Sequence, residues 1–84
     1  MEIESRTQHA SEFSSFDLYL CAFLIARGLQ LLRTERNQGR VRWIFVGGTT
    51  AARLHHEFLN NGPVPVGDYR RCLQDLKTEI FAAT

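Results

Sequence analysis

Nine consecutive residues, Leu18 to Ala26, carry no charge and no strongly polar group. They read Leu-Tyr-Leu-Cys-Ala-Phe-Leu-Ile-Ala between Asp17 and Arg27. The run is about half of what a membrane span requires. It reads as the middle of a helix over Phe16–Arg27. Ser15 is its N-cap with Asp17 favoured in the first turn, or Ser14 takes the capping place. Gly28 ends the helix. A surface helix shows a single apolar stripe, whereas this one is apolar all round. It must be covered on several sides, by the chain's own sheet and by either the later helices or a second chain. The protein has 84 residues, which is one domain. A chain of this size buries only roughly 60–65% of the surface its unfolded form exposes. Much of the apolar material falls within Phe13–Gln38, and one such chain is not expected to cover it alone.

The remaining sequence sorts by period and punctuation. Met1–Glu12 has no periodicity and reads as a mobile or extended arm, with residues 13–84 forming the domain and Phe13 opening it as a short strand. Leu29–Arg36 and Arg40–Val46 read as strands of an antiparallel hairpin, joined at Asn37-Gln38-Gly39. In the second strand Val41, Trp43 and Phe45 share one face, and Arg40, Arg42, Ile44 and Val46 share the other. Gly47-Gly48 breaks the strand, and Thr49 or Thr50 caps a helix to about Asn60. Ala51, Leu54 and Phe58 form its buried stripe, with Leu59 beside it, and Asn61-Gly62 closes it. Pro63-Val64-Pro65-Val66 is extended, because residues before proline are pushed out of the helical region. Asp68 caps a last helix whose apolar face is Tyr69, Cys72, Leu73, Leu76 and Ile80. The expected architecture is α+β in the order β-α-β-β-α-α, with helices on one sheet face and the other face open for docking.

The stretch Phe13-Ser14-Ser15-Phe16-Asp17-Leu18-Tyr19-Leu20-Cys21-Ala22-Phe23-Leu24, followed by Gly28 and Leu29, resembles a family of small bacterial and phage proteins of unknown function. That family opens with the pattern F-x-T-x-D-L-x-L-A-A-x-L. The resemblance continues through Val41–Val46, Phe58 with Asn61-Gly62, and Val66 to Leu76-Lys77 and Ile80, roughly residues 13–81. Ser15 stands where Thr is usual, Cys21 replaces Ala, and Gly47-Gly48-Thr49-Thr50 replaces a link in which acidic residues are commoner. The resemblance supports the fold and implies no activity.

Charge is where a function begins to show. The net charge is +1, but it is unevenly spread. In residues 27–53 six arginines stand against Glu35 alone, giving +5; residues 1–26 sum to −3 and residues 54–84 to −1. Arg33, Arg36, Arg40 and Arg42 surround one hairpin turn, Arg27 and Arg53 sit at helix ends nearby, and Arg70 and Arg71 add to the patch if they fall on the same side. Clustered arginines on a two-stranded ribbon can lie along phosphates, with salt-sensitive attraction. The alternative is that these arginines merely solvate the outer face. Trp43 could stack on a base, but alternation with Val41 and Phe45 makes it a core residue.

Other chemistry has little support. Phe45-Val46-Gly47-Gly48-Thr49-Thr50 has the look of an anion nest but lacks the lysine and length of a P-loop, so it reads as a turn. His55 and His56 point about 100° apart with no ligand three or four residues away, which argues against a metal. One flanks the buried stripe and the other is exposed. Cys21 and Cys72 read as core thiols, and a disulfide between them requires the two helices to touch. The polar, acidic N-terminus carries no secretory signal, so a reduced, cytoplasmic setting is expected. No catalytic constellation, cofactor, small-molecule substrate or membrane segment is indicated.

Two functions follow. The first is a non-enzymatic protein-interaction module, a homodimer or a small subunit or inhibitor docked on a larger partner. Leu20, Phe23, Leu24, Ile44 and Val46 are its interface or core residues, the arginines could equally contact the partner, and a sheet edge is open to strand pairing. The second is a nucleic-acid-binding accessory protein using the hairpin arginines.

Overall fold

The computed structural model describes residues 12–82. Its elements are β1 (Glu12–Ser15), α1 (Leu18–Ala26), β2 (Leu31–Asn37), β3 (Arg40–Val46), α2 (Thr49–Leu59) and α3 (Val66–Ala82). This is the α+β order read from the sequence. Residues 1–11 of the expected arm lie outside the described residues, while Glu12 belongs to β1.

Asp17, rather than Ser15 or Ser14, caps α1. Its Oδ1 accepts the backbone N–H of Tyr19 at 2.9 Å and of Leu20 at 3.2 Å. The helix cannot begin earlier, because β1 runs through Ser15, which pairs with Trp43. Ser15 instead braces the cap, its Oγ accepting the Asp17 N–H at 2.9 Å. At the other end Gly28 takes φ +96°, and the Leu29 N–H reaches back to the Leu24 carbonyl at 2.9 Å. That is the left-handed helix stop that glycine supplies without a Cβ penalty. Leu29 is used and buried there, so β2 starts at Leu31 rather than Leu29.

The chain covers α1 by itself, against expectation. Leu20, Cys21, Ala22, Phe23 and Leu24 are all buried, none more than 4% exposed. Helix α3 packs along α1, with α2 and β1 against its other sides. Val41, Trp43 and Phe45 of β3 join the same core from the sheet, and Ala51, Leu54 and Leu76 join it from the helices. Tyr69, Cys72, Leu73 and Ile80 pack partly buried against it, as their spacing on α3 predicts. Leu20, Phe23 and Leu24 are therefore core. Tyr19 is the one residue of α1 left half-exposed.

Two further helix starts differ from expectation. Gly48, not a threonine, occupies the cap of α2 and makes no side-chain cap bond. The Gly48 carbonyl closes the first turn onto Ala52, which places Thr49 and Thr50 inside the helix. Helix α3 begins at Val66, directly after Pro65, whose carbonyl accepts the Tyr69 N–H. Asp68 thus lies in the first turn, where the helix dipole favours it, and Arg71 occupies its carboxylate. Leu59 is 67% exposed and lies outside the buried stripe of α2.

The sheet is antiparallel in the order β1-β3-β2, with β3 central. Its hairpin turns on two residues, Gln38 at φ +54° and Gly39 at φ +82°. Two positive φ values give the turn whose twist matches its strands. Asn37 is consequently the last residue of β2, paired with Arg40, rather than part of the loop. The register slips between Leu31 and Arg33, leaving Leu32 as a bulge residue, 42% exposed.

Candidate interaction surface of the sheet

Among the described residues, one sheet face is closed by helices and the other is not. On the closed side Glu79 of α3 clamps the hairpin. Its carboxylate accepts the Trp43 indole N–H at 3.1 Å and the Thr34 hydroxyl at 3.3 Å. Trp43 is 1% exposed, so it is core and its polar edge is satisfied.

The open side follows from register. Once the turn is fixed at two residues, Glu35 stands opposite Arg42, Arg33 opposite Ile44, and Ser14 flanks Ile44 on the other side. Four charged side chains then form a continuous chain. The Arg33 guanidinium grips Glu12 with both terminal nitrogens, at 3.0 and 3.1 Å. Its Nε donates to Glu35 at 3.1 Å, and Arg42 donates to the other oxygen of Glu35 at 2.7 Å. Glu12, Arg33, Glu35 and Arg42 sum to zero. Hydrogen bonds from Arg42 and then Arg33 hold the Glu35 carboxyl below its ordinary range. The bonds to Glu12 and Glu35 push the Arg33 guanidinium higher still. Arg40 joins differently, its guanidinium lying 3.9 Å from the centroid of the Phe16 ring.

This network buries what was expected to be an exposed docking residue. Ile44 is 2% exposed although it faces away from the helical core. Arg33 starts on β2 and ends on Glu12 of β1, so its stem crosses β3 over Ile44. Long arginine stems commonly cover apolar surface in this way. Val46 is only partly buried.

The other arginines do not enlarge the patch. Arg53 lies on α2 and donates to Glu57 at 3.1 Å. Glu57 also takes Arg27 at 2.7 Å, and Arg27 bonds the Pro63 carbonyl, tying the end of α1 to α2 and its following loop. Arg27, then Arg53, lower the Glu57 carboxyl. Arg70 and Arg71 lie on α3, in the helical layer and across the sheet from Arg33 and Arg42. Of the four hairpin arginines only Arg36 has no ion pair or ring contact among the described residues; it is paired in register with Val41.

Glu12, Glu35 and Phe16 are the residues sequence reasoning missed. Glu35 was recoverable: counting back from a two-residue turn sets it across from Arg42. Glu12 and Phe16 were recoverable only from the β1 register, which no local pattern carries.

Strand β2 is an edge, with no strand beyond it among the described residues. In an antiparallel ladder alternate residues direct N–H and C=O to opposite sides. From the turn, Asn37, Glu35 and Arg33 bond to β3, so Thr34 and Arg36 point theirs outward. The edge spans seven residues, Leu31–Asn37.

Elsewhere, His55 packs on Phe13 with ring centroids 5.4 Å apart, and His56 is exposed. Cys21 is fully buried and Cys72 half-buried; both thiols are free although their helices pack together. Burial, with the Asp17 charge, pushes the Cys21 thiol up to about 12. Among the described residues no helix is long and apolar enough to cross a membrane. No three His, Cys, Asp or Glu side chains among them converge as a metal site. Fold and surface together define a small α+β protein whose described residues leave one sheet face open and the β2 edge unpaired. Comparison of the chain with protein families, curated proteins and solved structures gave no match.

Proposed function

We propose that this protein is a non-enzymatic interaction module that docks an extended segment of a protein partner along the free edge of β2. The observation that carries the reading is that edge: seven residues of strand with the main-chain groups of Thr34 and Arg36 turned outward. Strand addition takes its affinity from such main-chain bonds. The charge on the open face supports a protein partner over a nucleic acid. Phosphate binding needs cations that are free to replace counterions. Here the charges of Arg33 and Arg42 are balanced by Glu12 and Glu35, and Arg40 is stacked on Phe16.

The test is a screen of immobilised seven-residue peptides alongside a duplex DNA, using wild type and Thr34→Pro. Proline is tolerated on an edge strand where its missing N–H faces solvent, and there it removes the outward donor. Peptide binding that is lost in Thr34→Pro, with the far-ultraviolet circular dichroism unchanged, supports the reading. No peptide binding, together with a DNA complex that weakens steeply with salt and vanishes in Arg40→Ala/Arg42→Ala, overturns it in favour of the nucleic-acid alternative.

A further inference from the structure

We infer that the segment docked on β2 is β2 of a second copy of this chain, antiparallel about a two-fold axis at Thr34. The inference rests on the edge-docking reading and adds the partner and the register.

The charge order of the strand selects both. Between the bulge at Leu32 and the turn-closing Asn37, a two-fold axis that pairs this edge with itself centres on one residue of Arg33-Thr34-Glu35-Arg36 and sets that residue opposite its own copy. Centring on Arg33 or Arg36 faces two arginines, and centring on Glu35 faces two glutamates. Like charges directly opposite are destabilising. Centring on Thr34 faces threonine with threonine and sets Arg33 against Glu35 of the second copy, twice over.

The main chain agrees with this register. Thr34 is one of the two residues whose N–H and C=O point outward, so the two threonines exchange both bonds as a close hydrogen-bonded pair. Arg33 and Glu35 bond inward to β3. Across the new edge they form the non-hydrogen-bonded pairs, where side chains approach most closely. Arg33 also has capacity to spare: of five guanidinium N–H groups, three are used on Glu12 and Glu35. The product is a six-stranded sheet ordered β1-β3-β2-β2-β3-β1, with the charged row of the open face running across the join. Edge strands are commonly protected by charges that repel a copy. This edge carries charges whose alternation is self-complementary.

One strand pair makes a small interface, so association is expected only at micromolar or higher concentration, and about 500 µM is a fair working point. The experiment is solution molar mass by light scattering for wild type, Arg33→Glu, Glu35→Arg and their 1:1 mixture. Wild type is expected at twice the chain mass. Each single variant, with an all-acidic or all-basic pair at these positions, is expected as a monomer. The mixture is expected to regain the doubled mass, because an acidic strand then meets a basic one. That recovery also shows both variants to be folded. Should either variant fail to fold, Thr34→Cys and Arg36→Cys in a Cys72→Ser background replace them. Oxidation should cross-link the first into a dimer and leave the second a monomer.

A monomeric wild type at about 500 µM overturns the inference, as do single variants that dimerise like wild type or equal cross-linking at positions 34 and 36. If that monomer still binds peptides in a Thr34-dependent way, edge docking stands and only the second copy falls.

Discussion

Shortening Ile44 to alanine tests whether the open sheet face is built as described. The side chain is 2% exposed, yet it lies outside the helical core and under the Arg33 stem. The substitution deletes three carbons, at about 0.8 kcal/mol of lost burial each, or roughly 2.4 kcal/mol. A rigid site would add a cavity cost, but a flexible arginine partly collapses onto the gap, so the total is about 2–3 kcal/mol. For a domain of this size each kcal/mol moves the melting temperature by roughly 4–8 °C, giving a drop of about 10–20 °C. The assay is urea and thermal unfolding followed by Trp43, the single tryptophan. Ile44→Val should cost about 1 kcal/mol, on the same curve. A loss under about 0.5 kcal/mol for Ile44→Ala is what a surface residue gives, and it would refute the arginine-covered face.

Other perturbations reach separate parts of the account. Glu79→Ala strands the buried Trp43 N–H and frees the Thr34 hydroxyl, costing about 1–3 kcal/mol, with a shift in Trp43 emission; Glu79→Gln, which keeps an acceptor oxygen, should cost less. Cys72 should be alkylated well before Cys21 at pH 8 in the native state, because burial holds the Cys21 thiol protonated, and both should react alike in denaturant. The lowered Glu35 and Glu57 carboxyls make the unfolded chain the better proton binder in acid. Their contribution is complete above the ordinary glutamate pKa of about 4.3 and is lost as pH falls through the lower folded values. Urea melts should therefore weaken below about pH 4, and Arg42→Met with Arg27→Met should flatten that slope. Gly39→Ala, at φ +82°, should cost about 1 kcal/mol in the same melts.

How much of this the sequence disclosed depends on the range of the contact concerned. The alternation of Val41, Trp43 and Phe45, the apolar face of α3 and the glycine stop at Gly28 are local patterns, and each was legible. The turn was legible in kind but not in length, and one residue of loop length decides whether Asn37 is loop or strand. That error hid the Glu35–Arg42 pair and left the arginines looking unopposed. The +5 of the central segment counts only neighbours in sequence, whereas Glu12 reaches Arg33 from twenty-one positions away. Burial of α1 was misjudged for a related reason. Its all-round apolarity correctly demanded cover on several sides, but no pattern in α3 shows that a 17-residue helix lies along it. The edge status of β2 is a matter of strand order, which only the pairing of β1 with β3 fixes.

Amide hydrogen exchange of the wild-type chain, measured residue by residue at low and high protein concentration, tests the docking edge most directly. Glu35 and Asn37 bond to β3 and should be protected at both concentrations. Thr34 and Arg36 should exchange quickly in dilute protein and slow as concentration rises, with Thr34 the more affected. Equal and unchanging exchange at Thr34 and Arg36, with protection gained instead on the open face around Ser14 and Val46, would contradict the account.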